Sequence, residues 1–243
     1  ALGRPAGSTV NDVMLALAAG ALRRYLESRG EAVQGLTLRA GLSVNLRDPD
    51  AGTSLGNRAG AVLVNLPVGL DSAEARLRQV KRGMDAIKES PEASMVWGLL
   101  NALGNAPGEV QTVLVERYVA RDTAVIANVP GPAQTVSLAG SPLSSLMFWV
   151  PALGGAGLCL SIASYTDQVW FGASTDEALV PDPEQIIAGF HAEYDALQGS
   201  APGPESEGTG ARMEDGSIEA MSARLDEAIA KLDALLEGSR DAN

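Results

Sequence analysis

TAVIANVPGPAQTVSLAGSPLSSLMFWVPALGGAGLCLSIASYT, residues 123–166, contains no charged side chain. A membrane span is the first reading such a stretch invites, but its punctuation argues otherwise. Pro130, Pro132, Pro142, Pro151 and several glycines interrupt it, so no run of about 20 apolar residues survives. What remains are short apolar runs between breakers, which read as buried strands. Strands are expected at 123–129, 143–150, 156–165 and 168–174, with residues 165–168 forming the tight turn of a hairpin between the last two.

Upstream, LTLRAGLSVNL (36–46) and AGAVLVNLPV (59–68) read as two more strands joined by the polar loop RDPDAGTSLGN. The second is continuously apolar and so is expected to be central. Helices alternate with these strands. GSTVNDVMLALAAGALRRYL (7–26) is apolar almost all round, with Ser8 or Thr9 as N-cap and Asp12 near the third helical position. Ala73, Leu77, Val80, Met84 and Ile87 mark an amphipathic helix capped by Asp71. An uncharged, Gly-interrupted helical piece follows Pro91, then a helix through Val119, and PDPEQIIAGFHAEYDALQ (181–198) closes the body. The fold class is α/β, of the α+β type.

The chain has 243 residues, enough for one large domain. Residues 1–198 form the expected body. Residues 199–216, rich in Gly, Pro, Ser and Glu, read as a linker that cannot bury a core. In residues 217–243, Ile218, Met221, Leu225, Ala228, Leu232 and Leu235 fit a heptad, with Ile229 and Leu236 widening the stripe, so an acidic amphipathic tail helix is expected there. Whether that helix docks on the body or pairs with a second copy stays open. The net charge of −12 argues against nucleic acid, whose phosphates need a basic surface. A single cysteine, Cys159, excludes an internal disulfide. No secretory signal pattern opens the chain, which points to the cytoplasm. A start without Met that enters at once into a helix suggests one half of something longer.

Familiar catalytic constellations are missing. The one histidine, His191, lies on the last helix of the body and reads as a partly exposed structural side chain. Gly-x-Ser-x-Gly occurs once, as GTSLG (52–56), but in the polar loop between two expected strands and not at a strand-to-helix elbow. There is no Gly-x-Gly-x-x-Gly fingerprint and no Gly-Lys-Ser/Thr phosphate loop, and no metal cluster is expected. Four polar clusters stand out instead: Asn11-Asp12, SVNLRDP (43–49), GNRAG (56–60) and NVPGP (128–132). Each has an ordinary structural explanation as a cap, a turn or a local ion pair. Together they fall at helix heads and strand ends, where polar groups from separate elements converge on a cleft.

TVNDVMLALAAGALRRYL, LSVNLRDPDAGTSLGNRAGAVLVNLPVG, ANVPGP and GLCLSIASYTDQVWFGASTD, in that order and spacing, resemble the C-terminal half of the bacterial wax ester synthase/diacylglycerol acyltransferase family. The resemblance covers roughly residues 7–198. It implies a chloramphenicol-acetyltransferase-like, CoA-dependent acyltransferase fold: two lobes, each a mixed, largely antiparallel sheet flanked by helices, with a tunnel between them. The family's His-His-x-x-x-Asp-Gly motif, whose second histidine is the general base, is absent here. The resemblance therefore implies a lobe that supplies one wall of the tunnel, for long-chain acyl-CoA and an alcohol or diacylglycerol acceptor, and works with an N-terminal lobe. Acyl-CoA is a substrate, and no cofactor is implied.

On that resemblance no catalytic residue lies in this chain, and Asn11, Asp12 and Asn128 are the supporting polar groups. Asp12 would cap its helix, Asn11 would orient a neighbouring polar group, and Asn128 would hydrogen-bond near the reacting thioester. Ser43, Asn45, Arg47, Gly56, Asn57, Pro130 and Gly131 would contact substrate or hold the surrounding loops. The apolar stretches 95–103 and 146–155 would line an acyl channel or touch a membrane or lipid-droplet surface, with core packing as the competing explanation. Two rivals remain: a non-catalytic lipid-binding or assembly module of the same fold, and a peptide-synthetase condensation domain.

Overall fold

The computed structural model describes residues 7–46, 59–104, 108, 123–151 and 156–199. Arg47, Gly56 and Asn57, the helix expected through Val119, and the linker and tail helix from residue 200 onward lie outside them. Among the described residues the elements run α1 (Val10–Ser28), β1 (Leu38–Asn45), β2 (Ala59–Leu66), α2 (Ala73–Glu89), α3 (Glu92–Gly104), β3 (Ala124–Pro130), β4 (Ser137–Leu138), β5 (Ser141–Pro142), β6 (Leu158–Tyr165), β7 (Gln168–Thr175) and α4 (Pro183–Gly199).

Five strands form one mixed sheet in the order β2-β1-β3-β6-β7. The outer pairs, β1 with β2 and β6 with β7, are antiparallel. The inner pairs, β1 with β3 and β3 with β6, are parallel. β2, read as central from its apolar run, is an edge strand; packing of α2 and α3 against it accounts for that composition. On one face Ala40, Leu42, Val62, Val64, Leu66, Ala124, Ile126, Leu158, Leu160 and Ile162 join the core beneath α1, α2 and α4. α1 is the middle of that layer, and every side chain from Asp12 to Leu22 is buried. Each fully buried Leu or Ile contributes about 1.5–3 kcal/mol. That explains why a helix with so weak a polar face is stable here.

Three helices are tied by one carboxylate. Glu193 of α4, 3% exposed, accepts from Arg24 Nε of α1 at 2.6 Å and from Arg76 of α2. Arg76, 2% exposed, also donates to the carbonyls of Leu70 (2.5 Å) and Asp71 (3.2 Å). Gly20 makes this possible, because a Cβ there would overlap the Glu193 carboxylate. One residue along, Gly189 rests on Ala21, with its carbonyl oxygen 3.2 Å from where a Cβ would stand.

Two local expectations need correction. Residues 143–150 form no strand. Both edges of β6 are already paired, so this apolar run crosses the face of β6 and β7 with no ladder to join. It is fixed by a bond from the Val150 N–H to Ser161 Oγ (3.2 Å) and by Met147 and Trp149 lying on Gly172. In addition, Ser72 rather than Asp71 caps α2, accepting from the Ala75 N–H at 3.1 Å. Asp71 instead accepts from Arg23 of α1 at 2.7 Å.

Candidate functional site

The candidate site assembles where the head of α1 meets the C-terminal end of β3. Thr9 caps α1: its Oγ1 accepts from the Asp12 N–H (3.2 Å), and Asp12 Oδ2 accepts from the Thr9 N–H (2.7 Å). This reciprocal box satisfies two orphan amides, and the positive end of the helix favours the carboxylate. Asp12 is fully buried, and its Oδ1 has no hydrogen-bond partner, nor has the neighbouring Ser8 Oγ. Lys81 of α2 approaches from the side, bonded to Asp85 at 2.7 Å. That bond above all, with a smaller contribution from Asp12, raises the Lys81 pKa.

The box fixes the helix register so that the preceding side chain, Asn11, faces the sheet. Asn128 Nδ2 donates to Asn11 Oδ1 at 2.9 Å. Asn128 reaches it because β3 alternates: Ala124 and Ile126 point into the helix-side core, and Asn128 is the next residue on that face. With Asn11 Oδ1 occupied, any hydrogen bond that Asn11 gives to a third group comes from its Nδ2.

Beyond Asn128 the chain turns sharply and stays pinned to β6. The Gly131 N–H donates to the Ser164 carbonyl (2.8 Å) and the Thr166 N–H to the Pro132 carbonyl (2.9 Å). A Cβ at Gly131 would sit on the Ser164 carbonyl oxygen, so only glycine permits this approach. Sequence reading picked out Pro130 and Gly131 but missed Ser164 and Tyr165. The Tyr165 hydroxyl donates to the Leu143 carbonyl (2.9 Å) and accepts from the Val136 N–H (3.0 Å). Its place at the last position of an apolar strand was the available signal.

Of the other expected residues, Ser43 and Asn45 are exposed on β1 beside β3. The alternation that buries Ala40 and Leu42 turns both to the face opposite Asn128. They share the end of the sheet with the site, not its face. His191 is exposed on α4 and lines a groove of about 540 Å³ with Trp170, Phe171 and Phe190, which contains none of the residues above. Cys159 is buried, and burial raises its pKa. Among the described residues no group of three or more His, Cys, Asp or Glu is placed to hold a metal, and no helix is long and apolar enough to cross a membrane. In α3, Val96 is buried and Trp97 and Leu99 are partly covered, whereas Leu146 and Trp149 of the second apolar stretch are exposed.

Several apolar side chains are exposed in and near this part of the chain. Val10, Val129, Val136, Leu138 and Leu146 are all exposed. The last four belong to the uncharged stretch.

Comparisons with known proteins identify the family. The family profile described as the WS/DGAT C-terminal domain matches residues 55–198. A putative diacylglycerol O-acyltransferase of Mycobacterium tuberculosis is 32% identical over 208 residues, covering 82% of this chain and 41% of that protein. The wax ester synthase/diacylglycerol acyltransferase 11 of Arabidopsis thaliana is 28% identical, covering 73% of this chain and 41% of that protein. Among solved structures, the wax ester synthase/diacylglycerol acyltransferase of Marinobacter aquaeolei superposes with a TM-score of 0.59 at 25% identity, over 81% of this chain and 45% of that one. An epimerization domain of tyrocidine synthetase superposes with a TM-score of 0.51 at 10% identity, a likeness of fold alone. The chain thus spans about two-fifths of the length of the curated relatives it matches.

Proposed function

Because the chain belongs to the WS/DGAT C-terminal domain family, we propose that it is the C-terminal lobe of a long-chain acyl-CoA:alcohol or acyl-CoA:diacylglycerol O-acyltransferase. It forms one wall of the substrate tunnel and is inactive by itself. The general base, a histidine, comes from the N-terminal lobe. It takes the proton of the acceptor hydroxyl as the oxygen attacks the thioester carbonyl. The tetrahedral intermediate then expels the CoA thiolate, which is protonated on leaving. Acyl-CoA is a substrate and no further cofactor takes part. The site lies at the cytoplasmic surface of a membrane or lipid droplet, where its apolar substrates reside.

The observation that carries this reading is the Asn128–Asn11 hydrogen bond, an ordered amide pair joining the head of α1 to the end of β3. Asn11 donates through Nδ2 to the reacting centre or to the base, and Asn128 fixes it. Removing a single preorganised donor of this kind costs about 10²–10³ in turnover. The test is CoA release from palmitoyl-CoA with hexadecanol or a diacylglycerol, for this chain alone and for the protein that includes the N-terminal lobe. Silence alone, turnover in the longer protein, and a loss of at least tenfold in Asn11→Ala and Asn128→Ala are expected. Unchanged turnover in both variants overturns the assignment. Silence in both proteins favours a lipid-binding module, and turnover by this chain alone transfers the role of base to His191.

A further inference from the structure

The β4–β5 hairpin displays what a soluble surface ordinarily hides. Its turn is set by Ala139 (φ 51°) and Gly140 (φ 83°), and Leu138 beside it is 70% exposed. Val136 is exposed at its base, and Leu146 and Trp149 are exposed on the segment that leads away from it. The hairpin is nevertheless held firmly. The Leu143 N–H donates to the Val136 carbonyl at 2.9 Å, and buried Tyr165 clamps both legs through its hydroxyl. A two-stranded ribbon alone is marginal in water, so this clamp presents a shaped apolar tip in place of a floppy loop. Among the described residues β4 and β5 form a sheet of their own whose outer edges have no strand beside them. The hairpin follows the end of β3, which carries Asn128 and Gly131, and is clamped by Tyr165 at the adjacent end of β6.

We propose that this hairpin is the wedge that seats the N-terminal half of the enzyme on the present lobe, with Leu138 as its anchor. The identity of the partner rests on the acyltransferase reading; the existence of a docking tip does not. Two observations select a protein occupant. The chain accounts for about two-fifths of the length of the relatives it matches, which leaves in those proteins a larger part for such a tip to engage. Charge disfavours a phospholipid surface: residues 123–166 carry no Lys or Arg, and the chain carries a net −12, so nothing holds the hairpin to anionic headgroups. A buried apolar anchor ringed by near-neutral contacts is the usual energetic centre of such an interface.

Hydrogen exchange of amides 136–143 tests the proposal, measured in this chain and in the longer protein that includes the N-terminal half. Protection is expected to rise at least tenfold in the longer protein. Leu138→Asp, at an exposed position, is expected to leave the melting midpoint of this chain unchanged while abolishing that gain; Leu138→Ala gives an intermediate value. Equal exchange in the two proteins overturns the proposal. So does protection that appears only on adding phosphatidylcholine–triolein particles, which would make the tip a lipid contact. CoA release is followed in the same samples. Turnover with an unprotected hairpin refutes the wedge and leaves the function standing, whereas protection without turnover does the reverse.

Discussion

Glu193 is the point at which the helical layer is most vulnerable. Replacing it by alanine leaves the Arg76 guanidinium, 2% exposed, without its counter-charge. Arg76 keeps the Leu70 and Asp71 carbonyls, but they are neutral, and its Nε is already without a partner. Breaking one side of a buried pair costs about 3–5 kcal/mol; for a domain of this size that lowers the melting midpoint by roughly 6–20 °C. Arg24 adds little to the loss, because about half of its side chain faces water. Arg76→Met should cost somewhat less, since Glu193 keeps its bond from Arg24. The double variant Arg76→Met/Glu193→Leu should return to within about 1.5 kcal/mol of the parent, because an apolar pair of similar volume removes both desolvated charges. Urea unfolding of the four proteins measures the cycle. If either single variant loses less than about 1 kcal/mol, or the double loses the sum of both, the three helices are not held in the way described.

Gly131→Ala forces a methyl group onto the Ser164 carbonyl; a backbone shift is expected that costs about 1–3 kcal/mol and, in the longer protein, lowers turnover by moving Asn128. Chemical unfolding and CoA release read the two effects. Tyr165→Phe removes the clamp on both legs of the hairpin, and a loss of about 1–3 kcal/mol with faster exchange at 136 and 143 should follow. Acid supplies the fourth test. Asp182 is held below the usual 3.8, first by the Tyr25 hydroxyl and then by Arg29, and Asp85 likewise by Lys81 and, more weakly, Lys88. Lowered carboxylate pKa values mean stability that is complete above 3.8 and fades as pH falls through the lower folded values. Melting curves between pH 5 and 2 should therefore steepen below 3.8, and less so in Asp182→Asn.

Much of this architecture was legible because its signals were local. The Thr9–Asp12 box, the amphipathic period of α2 and the β6–β7 hairpin each depend on residues a few positions apart. Residues 143–150 misled for a physical reason: a short apolar run reports burial, and a segment lying on a sheet meets that condition without pairing. Sequence could not say that β1 and β3 are neighbours, so it could not foresee that Ser43 and Asn45 would face away from Asn128. Nor did it show that Gly20 exists to admit Glu193, since a glycine's role is defined by what approaches it from elsewhere in the chain. Asn11 and Asn128 were singled out separately through a likeness of whole motifs, and their bond to each other was not foreseen; nothing in either residue's neighbourhood points to the other.

The arrangement of the sheet also bears on the order in which it forms. β1 with β2, and β6 with β7, are neighbours in the chain and close as local hairpins. β3 joins these two halves by parallel pairing on both sides, linking Ala40 to Ala124 and Val125 to Cys159. Such pairing repays its loop-closure entropy only when distant segments have already met. β3 is thus the closing seam of the fold, and it carries Asn128 at its end. Asn128 meets Asn11 only when that seam is closed, so the amide pair is a late product of folding and cannot outlive the sheet that builds it.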